Sequence, residues 1–247
     1  MMKRYFAVVL FFSALGFAQE IKHKEANWFA YMGSYNSSPK WGYSIEAQFR
    51  LNNQLRQNNQ NVFRLGSFYH LNSKVTVAAG YGLINSFDPE LNDYFHEDRI
   101  WEQFQYKHLW NDKKNILTAR YRLEQRFVGQ LGVKEDGAVG RIATNYQNRF
   151  RYLNKNTFHL TNFKSGNEEL YFVIQDEVFL NLGKNEVNNV FFDQNRFNIG
   201  IGFNYKNSIQ FEITYMNQLI NLSSGNDAMN HVFSLTLFQN LILYREK

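Results

Sequence analysis

Arginine and glutamate recur at every second position in several stretches of this chain. Arg120, Arg122, Glu124 and Arg126 form one series and Arg149 and Arg151 another, while Arg50, Arg64, Arg99, Glu177, Arg196 and Glu212 stand in similar alternating contexts. A guanidinium bonds two carboxylate or phosphate oxygens at once and keeps its charge when enclosed. Residues two apart on an extended chain point to one side. The chemistry such faces can do is charge-assisted binding of oxyanions, either the protein's own carboxylates or those of a solute. Ten of the thirteen arginines, Arg141 included, fall on these faces. Thirteen of the fourteen lysines, all but Lys107, fall in the basic leader, turns, loops or termini. The acids on the arginine faces are Glu46, Glu124, Glu177 and Glu212, so those faces carry a positive surplus.

The opposite faces of the same stretches are oily. Between Gln194 and Tyr205, Asn195, Phe197, Ile199, Ile201, Phe203 and Tyr205 alternate with Gln194, Arg196, Asn198, Gly200, Gly202 and Asn204. This two-residue period marks β-strands, and it recurs from Trp41 to Leu51 and from Val75 to Ile84. A soluble sheet turns its polar side to water. Here arginine crowds the polar side and large aromatics the apolar side, which is the pattern of an antiparallel up-and-down β-barrel standing in lipid. Because only alternate residues meet lipid, mean hydropathy stays negative while aromatics reach 17%. Both prolines, Pro39 and Pro89, lie between strand-like runs, as a hydrogen-bonded sheet requires.

The strand-like runs are Trp28–Tyr35, Trp41–Leu51, Asn61–Leu71, Val75–Ile84, Arg99–Trp110, Asn115–Phe127, Arg141–Leu153, Leu170–Leu182, Gln194–Tyr205, Ser208–Leu219 and His231–Asn240. Bacterial barrels made of one chain have an even number of strands. The eleven runs therefore become ten if Trp28–Tyr35 lies outside the ring, or twelve if Thr157–Phe163 is a strand of its own; the expectation is ten to twelve. Segments 52–60, 85–98, 129–140, 183–193 and 220–230 read as long outer loops. Trp41, Tyr43, Tyr106, Trp110, Phe150, Tyr152, Phe203 and Tyr205 are placed near strand ends, where aromatic rings settle at the membrane interface.

Met1 to Arg4 is a basic leader, Tyr5 to Phe17 an apolar run, and Gly16-Phe17-Ala18 a small-residue cleavage site before Gln19. Residues 1–18 are thus expected to be a signal peptide and 19–247 a barrel exported to the outer membrane of a Gram-negative cell. The chain contains no cysteine, hence neither a lipid-anchoring site nor a disulfide. The basic residues are spread along strands, which argues against a nucleic-acid-binding patch.

Catalytic spacing is sparse. His23, His70, His96, His108, His159 and His231 show no metal-binding spacing, and no metal or cofactor is expected. His96 with Asp93, Glu97 and Asp98 is the one grouping that could serve a rim-sited lipid or peptide hydrolase. Two further readings stay open. The Arg/Glu faces either fill a narrow lumen as structural packing or line a pore for an anionic solute. A soluble periplasmic ligand-binding barrel would instead turn its apolar faces inward.

Glu97–Gln103, Arg120–Phe127, Arg149–Tyr152, Asp176–Asn181 and Phe192–Arg196 resemble, in order, a family of exported bacterial proteins classed only as a domain of unknown function. The resemblance implies an outer-membrane β-barrel, with Arg99, Arg122, Glu124, Arg126, Arg149, Arg151, Glu177 and Arg196 at matching positions. It implies no activity.

Overall fold

The computed structural model describes residues 21–52, 55–112, 114–163, 168–206 and 208–245; the expected signal peptide lies outside them. Alternating sequence becomes strand throughout, and no helix occurs among the described residues. The strands are β1 (Lys22–Asn36), β2 (Trp41–Asn52), β3 (Gln57–His70), β4 (Val75–Asp88), β5 (Asp93–Trp110), β6 (Asn115–Val133), β7 (Val139–Asn162), β8 (Glu168–Leu182), β9 (Phe192–Tyr205), β10 (Ile209–Ile220) and β11 (Ala228–Ile242). Each pairs antiparallel with the next, and β1 pairs with β11 to close the ring.

Closure departs from the expected even count. Trp28–Tyr35 belongs to the ring, within β1, and Thr157 continues β7 instead of starting a strand, so the ring holds eleven. An odd ring of hairpins brings its first and last strands together pointing the same way. The β1–β11 pair is accordingly parallel, from Lys22 opposite Ala228 to Asn36 opposite Ile242. Lys22 thus starts at one rim and Ile242 ends at the other.

The connections at these two rims differ. At the short-turn rim, Asn111 and Asp112 both take positive φ, at 52° and 53°, the backbone of a tight hairpin turn. At the long-loop rim the longest connection runs from 183 to 191. The expected loops are otherwise shorter than the sequence suggests. Residues 85–88 and 93–98 extend β4 and β5, leaving only 89–92 between them. The pairing is also staggered: a line of partners from Tyr35 through Tyr43, Ser67, Ala79, Glu102, Leu123, Phe150 and Leu180 reaches Phe192, at the opposite rim. Such stagger tilts the strands across the barrel axis.

The two faces separate as the alternation requires. Trp41, Tyr43, Leu65, Ile100, Tyr121, Ile199, Ile201 and Phe211 lie exposed outside, while Arg64, Arg99, Arg122, Glu124, Arg149, Arg151, Glu177 and Glu212 are buried inside. A ligand barrel with an apolar interior has the opposite arrangement. The interior is nevertheless not purely polar, since Val62, Phe68, Ile84, Trp101, Tyr171 and Phe179 are also buried. Phe150 and Tyr152 sit near the middle of the long β7, not at a strand end.

Glycines accommodate the inward rings. A Cβ added at Gly66 would lie 2.6 Å from the Trp101 ring, and one at Gly80 would lie 2.5 Å from that ring and closer still to the Leu65 carbonyl. Gly82 is different, because its nearest neighbour is the flexible Arg64 side chain at 3.0 Å. Gly80→Ala is therefore expected to destabilise the barrel by about 1–3 kcal/mol through overpacking, with Gly82→Ala much milder. Urea unfolding in detergent micelles, followed by tryptophan fluorescence, checks the difference.

Candidate functional site

The lumen collects the charged faces of nearly every strand. Arg50, Arg64, Arg99, Arg120, Arg122, Glu124, Arg126, Arg149, Arg151, Glu177, Arg196 and Glu212, the set marked by alternation, all line it or lie buried within it. Arg141 does not. The β6–β7 register shifts between Gln130 and Leu131, so Gln130 faces Ala143 and Leu131 faces Arg141. Ile142 is left without a partner, and this bulge puts Arg141 out of phase. It lies exposed beside Thr144, to which it donates.

Glu124 is the hub of the ion pairs. Its carboxylate lies 2.7 Å from Arg149 and 2.6 Å from Arg151, with Arg99 at 3.7 Å and Arg122 at 4.0 Å. Glu177 takes Arg151 at 2.8 Å and Arg120 at 2.6 Å. Glu46 meets Arg64. Three partners escaped the sequence reading. Glu97 points inward and pairs with Arg99 and Arg126, Asp193 takes Arg149 at 3.2 Å, and Lys155 reaches Glu212 at 2.6 Å from within β7. Glu97 and Asp193 fell in expected loops, where alternation could not assign a face; the regular beat from Asp93 to Arg99 is the signal that finds Glu97.

That same beat divides the grouping around His96. Glu97 enters the lumen, whereas Asp98 faces outward, where it accepts a hydrogen bond from Tyr81 of β4. His96 shares the Asp98 side and is exposed. The four residues do not converge on one point. Among the described residues, no group of three or more His, Cys, Asp or Glu could hold a metal ion.

Two cavities occupy the lumen. The larger, about 690 Å³, lies toward the short-turn rim and mixes charges: Lys107, Lys155, Arg120 and Arg122 with Glu46, Glu177 and Glu212. The smaller, about 380 Å³, lies toward the long-loop rim. Trp28, Arg50, Arg64, Arg151 and Arg196 line both and form the waist between them. Arg64 and Arg151 are fixed by carboxylates. Among the described residues, Arg50 donates to neutral amides, 2.5 Å to Gln60 and 2.7 Å to Gln48, and Arg196 to Gln194 at 3.2 Å. The guanidinium carbons of both lie over the Trp28 ring, 3.9 and 5.0 Å from its centroid. Arg149, Arg151 and Arg196 similarly approach the face of Phe179 at 5.1, 4.5 and 4.6 Å. Aromatic faces attract cations, so these rings hold like charges close together.

These features define a closed all-β barrel with apolar residues outside and arginines inside. The family described as "protein of unknown function (DUF2490)" matches residues 25–230, and the chain belongs to it. Neither the comparison with curated proteins nor that with solved structures returns a match.

Removing one member of a buried ion pair leaves the other charge uncompensated, at about 3–5 kcal/mol. Glu124→Gln is expected to cost an amount of that order, read as a lower urea midpoint in micelles. Glu25→Gln, at an exposed strand end, is expected to leave the midpoint unchanged.

Proposed function

We propose that this chain is an integral outer-membrane barrel whose narrow lumen conducts small anions across the waist formed by Arg50, Arg64, Arg151, Arg196 and Trp28. The observation that carries the membrane reading is the height of its outward apolar belt. Counting outward positions from the short-turn rim, β4 shows Val75, Val77, Ala79, Tyr81 and Leu83 before Asn85. On β9, Tyr205, Phe203, Ile201, Ile199 and Phe197 precede Asn195, and on β10, Ile209, Phe211, Ile213 and Tyr215 precede Asn217. On β1 and β3 it ends at Asn27 and Asn61, whereas on β5, β6 and β8 the outward Glu102, Gln125 and Asp176 interrupt an apolar face that resumes at Ile100, Phe127 and Val178.

Four to five outward positions cover roughly 26–33 Å of strand at about 3.3 Å per residue. At the usual barrel tilt that is a height of roughly 20–25 Å, close to the apolar band of about 25 Å on membrane barrels. Beyond it β9 turns polar outward, and the Asn195 amide donates to Asp176 of β8 at 2.7 Å. A water-soluble protein has no reason to expose an apolar surface of this extent around its wall.

The anion preference follows from charge. Nine arginines with Lys107 and Lys155 outnumber the interior acids Glu46, Glu97, Glu124, Glu177, Glu212 and Asp193. A cation entering the waist meets four guanidiniums, of which Arg64 and Arg151 are ion-paired and Arg50 and Arg196 are not, whereas an anion is attracted there.

In planar bilayers the purified protein is expected to give small, anion-selective currents, and Arg196→Glu to reduce or reverse that selectivity. Absence of current, or cation selectivity in the wild type, would refute conduction. Recovery of the native protein from the soluble periplasmic fraction without detergent would refute the membrane assignment.

A further inference from the structure

The two cavities differ in sign as well as size. The chamber toward the long-loop rim is lined by Lys24 and seven arginines, its other polar lining residues are Asn and Gln, and it has no carboxylate among its lining residues. The acids that balance part of this charge, Glu46, Glu97, Glu124, Glu177 and Asp193, pair with its arginines from outside the chamber's lining. Arg50, Arg196 and Lys24 form no ion pair among the described residues, and the buried Nε of Arg64 has no hydrogen-bond partner. The chamber's chemistry therefore calls for an occupant that brings several acceptor oxygens and more than one negative charge.

We propose that this chamber is a binding site for a multiply charged oxyanion, a solute carrying a phosphoryl group or clustered carboxylates, held between Arg50 and Arg196 at the waist. The proposal rests on the anion-accepting lumen described above but not on conduction. Guanidiniums grip such groups through paired N–H donors. Among the described residues neither key arginine makes a salt bridge, although Arg196 stands opposite Glu177; Trp28 and Phe179 position them through their ring faces and Gln48, Gln60 and Gln194 through single amide oxygens. A volume of about 380 Å³ lies at the small end of ligand pockets. A singly charged ion would leave the surplus only partly matched, which sets multivalent oxyanions apart from chloride or acetate.

The test is titration calorimetry on the full chain in detergent micelles, with pyrophosphate, citrate, acetate and chloride as probes at fixed ionic strength. Pyrophosphate or citrate is expected to bind at least tenfold more tightly than acetate or chloride. The tighter of the two distinguishes phosphoryl from carboxylate recognition. Arg50→Gln and Arg196→Gln are each expected to weaken that binding by tenfold or more. Neither substitution orphans a carboxylate, and an unchanged far-UV circular dichroism spectrum verifies the fold. Lys206→Gln, on a turn at the opposite rim, is expected to bind as the wild type does. Equal affinity for all four probes overturns the proposal without any variant, as does full-strength binding by a folded Arg196→Gln protein. Loss of bilayer current with oxyanion binding intact would defeat conduction alone; retained anion selectivity without oxyanion binding would defeat this site alone.

Discussion

Enclosing guanidinium groups inside a tube is the constraint on which the rest of the structure depends. A charge removed from water is costly unless it finds a partner of opposite sign or retained solvation. Glu124 answers for much of the central cluster, with Arg149 and Arg151 bonded to its two oxygens and Arg99 and Arg122 within 4.0 Å. Glu177 and Glu97 repeat the arrangement to either side. The ion pairs link β5, β6, β7 and β8 through the lumen as the hydrogen-bond ladders link them around the wall. The side chains that fill the lumen thus also tie four neighbouring strands together.

The outer face of the strands is apolar. The same alternation that sends Arg196 inward sends Phe197 and Ile199 outward, so interior charge and exterior apolarity are two consequences of one backbone period. The odd count of strands adds a parallel seam without disturbing this, because β1 follows the same alternation: Trp28 faces the waist, and Tyr31 faces out to donate 2.6 Å to Gln239 across the seam. Without β1 the waist would lose the ring over which Arg50 and Arg196 lie.

Much of this was legible in the sequence wherever the period runs unbroken. β2, β4 and β9 show it cleanly, and their inward Arg50 and Arg196 follow directly. Legibility failed where the period is interrupted or where polar residues imitate a loop. Arg141 was misplaced because a one-residue bulge reverses every side chain beyond it. Glu97 and Asp193 were hidden because runs rich in Asp, Glu and Asn read as connections, although strands that extend past the apolar belt are free to be polar on both faces. Trp28 was ambiguous since β1 carries small residues such as Ala26 and Ala30 inward and therefore lacks contrast between its faces. Pairing order follows from hairpins, but the parallel closure does not: it depends on the parity of the ring, and one strand more or less changes it.

The direction in which the oily stripe of each strand faces is tested most directly along β9. The chain has no native cysteine, so single cysteines at positions 194, 197, 198, 199 and 201 can each carry a spin label in protein reconstituted into lipid vesicles. Collision with dissolved oxygen is predicted to be high at 197, 199 and 201, and collision with a water-soluble nickel chelate to be low at those same positions. Labels at 194 and 198 are predicted to lack the lipid signature. Uniform exposure to the chelate along the strand, or the opposite phase, would contradict the account.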